Sequence, residues 1–337
     1  MVKYDKPFKT YDELISLLES RNLTINDKGF AQIVLSTISY YDLVNGYKEL
    51  FMVNDKFIDG ISIEYLYSFF LFDTSFQNIL IKYSFHIERI FKNNLAYVIA
   101  ENYGEDHKQY LDQKNYQNSK KNKSETFRQT FANLNDICNP QNEYIDNPTR
   151  HYVASKNHIP PWILFKNATF SDCINLYSFL KSAEKDEICN MIIDIPIGDA
   201  GMKKDIFYKS LNIVRKFRNV IAHNLKFITF RCYEKNSLHL AALKPAFGNS
   251  LINRSDFRAK RGFNDIYSMI LSIIILLKDE SLIKSFLNEL IDFLQKVSGD
   301  SSYTDMTPFI KRYLTITNMP LDLSSRLEVY RNHLIKK

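Results

Sequence analysis

Along most of the chain apolar residues recur at i, i+3, i+4 and i+7, a spacing that predicts a protein built almost wholly of helices. Residues 11–19 predict a short first helix, 30–50 one or two more, and 61–102 a long helical stretch broken near Asp73. Between 104 and 158 the pattern turns polar, rich in Asn, Gln and Lys, and the run NPQNEYIDNP supplies turn chemistry. Short helices joined by loops are expected there rather than a separate domain. Helix resumes over 170–181, again before Pro196, and over 204–224. FITFRCYE and SLHLAALK then alternate around Lys235-Asn236, which predicts a small β-hairpin over 227–244. Residues 263–297 read as two helices parted near Lys278, and a last helix starts at Ser325. The run MILSIIILL at 269–277 is about half a membrane span and reads as a buried helix. The organisation expected is an N-terminal helical extension (1–58), a helical domain (59–298) carrying the polar insertion and the hairpin, and a tail (299–337).

One helix breaks its own pattern. In VRKFRNVIAHNL, starting at Val214, successive residues turn by ~100°. With Arg218 at the origin, Phe217, Ile221, Val214, Leu225, Leu211 and Ala222 fall between about −100° and about +40°. Arg218 therefore sits inside the apolar arc, and Arg215, Asn219 and His223 form a polar strip along one edge. A guanidinium there is costly unless it is paired, bound to an anion or open to a cleft, because arginine keeps its proton. Three explanations compete. Arg218 snorkels or pairs with a core acid such as Glu88, with His223 a helix-terminal histidine favoured by the macrodipole beside an Asn224 cap. Alternatively the stripe packs on a partner subunit and the polar edge lines a shared groove, or that groove also holds a phosphodiester.

Net charge is only +6, yet the basic residues are clustered. Gly201 to Lys235 holds nine Lys or Arg against two acids, Lys114 to Arg128 five against one, and Arg254 to Arg261 four against one. Such local fields suit a polyanion, with solvated surface as the plainer alternative. They nominate Arg215, Lys216, Lys226, Lys120, Lys121, Lys123, Arg258, Lys260 and Arg261 as contacts for a polyanion, without separating RNA from DNA or from an acidic protein. The exposed candidates for base stacking are Tyr40, Tyr41, Tyr47 and Trp162, although in a chain that is 14% aromatic most rings belong to the core. Cys138, Cys173, Cys189 and Cys232 show neither a Cys-x-x-Cys pair nor a zinc-ligand spacing, so no metal and no disulfide framework is expected. With no signal-peptide core at the start and no Gly-x-Gly phosphate loop, the expectation is a cytoplasmic, membrane-free protein without a cofactor.

An Arg followed by His after four to six residues is weak by itself, since about one chance match is expected in a chain of this kind. Arg326 and His333 form another, which lacks a long helical stripe around it and is set aside. Context gives the first pair its weight. RNVIAHN in a long helix resembles the Arg-Asn-x-x-Ala-His signature of HEPN ribonucleases. Lys6-Pro7, Tyr11, LLESRNL at 17–23, Ala31, Ile38, Tyr40-Tyr41, Leu43, Gly46-Tyr47 and Phe51 resemble the opening of the Abi-like abortive-infection proteins of the AbiD/AbiF group. IERIFKNNLAYVIAENYG and PPWILFKNATFSDCINLYSFLK are similar to that group's middle segments, in the same order.

The resemblance implies an all-α fold, a HEPN-type helical bundle with an N-terminal helical extension, acting in bacterial defence against phage. It implies a catalytic pair of Arg218 and His223 supported by Asn219, a homodimer that brings two such pairs into one cleft, and an associated structured noncoding RNA. The chemistry of the residues agrees. RNA carries its own nucleophile, histidine's ordinary pKa of ~6.5 suits proton transfer, and an arginine fork suits phosphate oxygens. Arg215 would clamp RNA and Glu88 would orient the site or pair in the core. The expectation is a toxin-like, metal-independent endoribonuclease; the alternatives are a HEPN module that binds RNA without cutting it and a protein-interaction role without nucleic acid.

Overall fold

The computed structural model describes residues 5–117, 124–296 and 307–335. Its organising element is α4, Ile63–Tyr103, which follows α1 (Tyr11–Ser20), α2 (Lys28–Thr37), a π-helical turn (Tyr41–Asn45) and α3 (Gly46–Phe51). The Ser62 side chain caps α4 by accepting from the Tyr65 backbone, and Gly104 ends it at a φ of 84° that favours glycine. The polar segment forms α5 (His107–Tyr110), α6 (Ser124–Asp136) and α7 (Thr149–Ser155). Next come α8 (Pro161–Leu164), α9 (Phe170–Phe179), α10 (Ser182–Ile192) and α11 (Ala200–Ala222), then α12 (Leu240–Leu251) and α13 (Arg254–Arg258). The chain closes with α14 (Ile266–Leu276), α15 (Glu280–Lys296), α16 (Thr307–Ile316) and α17 (Leu323–Ile335).

All eleven residues of α14 are buried, because it is apolar on every side and lies at the centre. Against it packs α11, which in turn meets α4, α9 and α10. No described helix is long and apolar enough to cross a membrane. The C-terminal segment packs rather than protrudes: α17 lies on α12 and α15, and α16 lies on α3. Here Arg326 is buried, donating to the wholly buried Asp256 at 2.7 Å and to Asp322 at 2.7 Å. That accounts for the arginine of the discarded Arg326–His333 match as an internal ion pair.

Two expectations fail, each for a stated reason. The helix over 61–102 does not break at Asp73 but runs unbroken for 41 residues. Asp73 faces inward and accepts hydrogen bonds from the Tyr47 hydroxyl (3.0 Å), the Gln77 amide (2.8 Å) and the Tyr313 hydroxyl (2.6 Å). It thereby joins α3 and α16 to α4 instead of ending the helix. The β-hairpin over 227–244 is absent as well: Glu234–Asn236 is a 3-10 turn and α12 begins at Leu240. The apolar positions that imitate a strand, Phe227, Ile228, Cys232 and Leu238, are buried against the bundle. Backbone N–H groups of Cys232 and Leu238 donate to the carbonyls of Asn264 and Phe263, so the segment pairs with a loop. The sheet among the described residues lies elsewhere, with Met52–Val53 antiparallel to Lys56–Phe57. Asn54 and Asp55, both at positive φ, supply the two-residue turn such a pairing needs.

Burial pushes the Asp73 carboxyl up to about 6, although the hydrogen bonds from Tyr313, Tyr47 and Gln77 pull the other way. Its folded value thus exceeds the ordinary ~3.9, so the folded chain holds an extra proton between those limits and loses stability as pH rises through them. Asp73→Asn should remove this loss. From pH ~4 to pH ~7 the wild type should lose about 2–3 kcal/mol relative to the variant, with little further change above, read from denaturant unfolding at each pH.

Candidate functional site

The site is set by how α11 ends. Val220 and Ile221 accept backbone bonds from Leu225 (2.9 Å) and Asn224 (3.1 Å), and Asn224 is left-handed at a φ of 50°. This is a Schellman closure with Asn in place of the usual Gly, and it makes His223 the C-cap residue. The His223 side chain is exposed, and no hydrogen bond to its ring is found among the described residues. Upstream, Leu211, Val214 and Phe217 are buried as the stripe requires, while Leu225 at its far end is 58% exposed. The stripe is thus covered through Val220 and Ile221, and only Leu225, beyond the end of the helix, is left largely exposed.

Arg218 faces α4. Its side chain is 31% exposed, and its Nη2 lies 3.7 Å from Glu88 Oε2. Nη1 donates to Asn219 Oδ1 at 3.2 Å, and the guanidinium lies 5.5 Å from the centre of the Phe85 ring, within cation–π range. Nε is buried, with no partner among the described residues. Glu88 is shared: Lys92 reaches it at 2.7 Å, much closer than Arg218 does. The expected core acid is therefore present, but Arg218 is neither enclosed nor fully neutralised by it.

These groups open onto a cavity of about 460 Å³ between α4, α8 and α11, with Arg89, Lys92, Lys166 and Arg218 around a single acid, Glu88. Trp162, 44% exposed, forms part of its wall. Arg89 and Lys166 are exposed and take part in no ion pair among the described residues. Such a cavity suits a phosphate backbone with a base against the indole. Arg89, Lys92 and Lys166 were not picked out from the sequence. Lys92 stands one turn beyond Glu88 and could have been, but Lys166 arrives from the turn after α8 through tertiary packing alone.

The other expected contacts scatter. Arg215 donates to Asn212 Oδ1 at 3.1 Å, its Nε is buried with no partner among the described residues, and desolvation pulls its pKa below the usual arginine value. Lys216 lies 5.6 Å from the Tyr233 ring centre. Lys226 is tied to Glu49 at 2.7 Å and to the Asn45 carbonyl at 2.8 Å, which pins the α11 exit to the N-terminal helices. Arg261 pairs with buried Asp256 at 3.0 Å and serves the C-terminal core rather than the surface. Arg258 and Lys260 are exposed nearby, whereas Lys120, Lys121 and Lys123 lie outside the described residues. Of the tyrosines, Tyr47 is committed to Asp73 and the Tyr40 hydroxyl accepts from Arg21, leaving Tyr41, 63% exposed, as a free ring. His223 does not line the cationic cavity, so Arg218 and Asn219 are brought together with Glu88 while His223 stands apart at the cap.

Substituting both Arg89→Gln and Lys166→Gln, two exposed positions, should weaken binding of an oligouridylate and flatten its salt dependence. The slope of log affinity against log salt should become less negative by about 1.4, roughly 0.7 for each lost phosphate contact, in anisotropy titrations. Unchanged affinity would show that the cavity does not take a phosphate backbone.

A sequence model of the family described as Abi-like protein matches residues 33–229, which include α4, α11 and every residue of the cationic cavity. Neither the curated proteins nor the solved structures contain a match. With more than half its length so matched, the chain belongs to the Abi-like, abortive-infection-like, protein family.

Proposed function

We propose that this chain is a HEPN-type endoribonuclease of phage defence, which cleaves RNA without a metal through Arg218 and His223. The observation that carries the reading is Arg218 itself: a permanent charge, a third exposed and only partly met by Glu88, at the wall of a cationic cavity. The exposed part of its fork can take an anionic acceptor from outside the chain.

The chemistry follows from substrate and side chains. The ribose 2′-hydroxyl attacks the adjacent phosphorus, the P–O5′ bond breaks, and the products carry a 2′,3′-cyclic phosphate and a 5′-hydroxyl. His223 moves the proton from the attacking oxygen or to the leaving one, and Arg218 meets the charge that grows on the nonbridging oxygens. Asn219, bonded to Arg218, fixes the fork. The pair stands five positions apart with four residues between, about 7.5 Å along the helix axis and ~140° around it. A homodimer, in which Arg218 of one copy meets His223 of the other across the exposed cap at His223 to Leu225, satisfies both. The exposed Arg258 and Lys260, on a different element, provide a surface for a controlling structured noncoding RNA.

The second reading, an RNA-binding module that does not cut, is favoured by one observation: the cationic cavity is complete without His223. Cleavage in the presence of chelator decides between them. Arg218→Ala and His223→Ala should each lower the rate ~100-fold or more and abolish toxicity, with RNA binding largely kept in the histidine variant. Arg218→Lys should not restore activity, since an ammonium cannot make the two-pronged contact. Cleavage that stops in chelator and returns with Mg²⁺, or toxicity unchanged by either alanine, overturns the nuclease reading.

A further inference from the structure

A second cavity, of about 660 Å³, lies where the N-terminal helices meet α4 and the exit of α11. Its volume is that of a small-molecule site, ~300–1,000 Å³. It differs in chemistry from the cationic one. Among its lining residues the only cation is Lys226, and both Glu49 oxygens and the Asn45 carbonyl already engage that ammonium. What remains is neutral or acidic: the carboxamides of Asn45, Gln77, Asn78 and Asn224, the carboxylate of Asp42 and the ring of Tyr41. An anion is disfavoured here, whereas a flat, uncharged, hydrogen-bonding ring is suited.

The polar groups are poised rather than spent. Gln77 donates its amide N–H to Asp73, which leaves its oxygen free, and no side-chain hydrogen bond of Asn45, Asn78 or Asn224 is found among the described residues. Asp42 Oδ2 accepts from the Ser39 hydroxyl at 2.7 Å, and Oδ1 has no such partner among the described residues. Tyr41, Asp42 and Asn45 all belong to the π-helical turn, a distortion that re-aims side chains and recurs at functional sites. Ile221, Asn224 and Leu225, which flank His223, line the same cavity.

We propose that this cavity is a base-reading subsite that takes an unstacked guanine of the RNA, resting on the reading of Arg218 and His223 as the cleavage pair. Guanine presents two adjacent donors, N1–H and N2–H₂, which one carboxylate can accept together; adenine, cytosine and uracil lack that pair. Asp42 accepts both, the carboxamides serve the O6 and N7 side, and Tyr41 stacks on the ring, as in single-stranded RNA recognition generally. The base held there sets which phosphodiester lies beside His223, so the subsite fixes cleavage position.

The test uses the intact His223→Ala protein and short oligouridylates that carry one guanosine, inosine or adenosine. Inosine lacks only the N2 amino group, so its comparison needs no variant of the cavity. Guanosine should bind ~10-fold tighter than the other two, the discrimination of one bidentate base contact. Asp42→Asn should erase that preference, and Tyr41→Ala, which removes an exposed ring, should weaken all base-dependent binding. Equal affinity for the three oligomers, a guanine preference that survives Asp42→Asn, or no binding of any oligomer overturns the proposal. Mapping of wild-type cleavage separates the two readings. Guanine-selective binding without cleavage leaves the subsite standing and sinks the nuclease, whereas cleavage indifferent to base does the reverse.

Discussion

A guanidinium cannot shed its proton, and the arrangement around Arg218 follows from that constraint. On a helix whose neighbouring positions Val214, Phe217 and Ile221 are buried, the charge must be met by α4 or by something from outside. Glu88 meets it in part, but at 3.7 Å and while bound more closely to Lys92. Phe85 offers a ring face and Asn219 a carbonyl, yet Nε has no partner among the described residues. Full compensation would have required a second acid, and the side chains that come instead are Arg89 and Lys166. The local balance is thus net positive rather than that of a closed, neutralised core.

The long helix α4 makes this possible because it serves several faces at once. Near its start Asp73 draws in Tyr47 from α3 and Tyr313 from α16, fixing the N- and C-terminal segments to one point. A few turns later Glu88, Arg89 and Lys92 face α8 and α11. The α11 exit is held by Lys226 against Glu49, so the cap bearing His223 is positioned by the N-terminal helices and not by the bundle alone. The two proposed subsites thereby hang on one helix, the cationic cavity in its middle and the carboxamide-lined one nearer its start.

Much of this was legible in the sequence, for identifiable reasons. Helical periodicity is local, so α11, α14 and α15 were readable, and so was the misplaced charge of Arg218 with Glu88 as its candidate partner. Asp73 was misread as a break because its three hydrogen bonds come from Tyr47, Gln77 and Tyr313, of which only Gln77 is close in sequence. The false hairpin at 227–244 arose because a loop that buries alternate residues on a bundle looks like a strand until its backbone partners, Phe263 and Asn264, are known. Clustered charge misled for a similar reason. Lys226 and Arg261 lie among cations in sequence but are spent on Glu49 and Asp256, while Lys166 is isolated in sequence and joins the cavity only through the fold.

The separation of Arg218 from His223 on one helix puts the central claim within reach of subunit mixing. Arg218→Ala and His223→Ala proteins, each inactive alone, are co-refolded or exchanged and assayed for RNA cleavage in chelator. If Arg218 of one copy acts with His223 of another, half the dimers are mixed and each has one intact composite site, so activity should return to about a quarter of wild type. If mixed dimers form and activity stays at the level of the single variants, the two residues do not act across the subunits and the composite site is wrong.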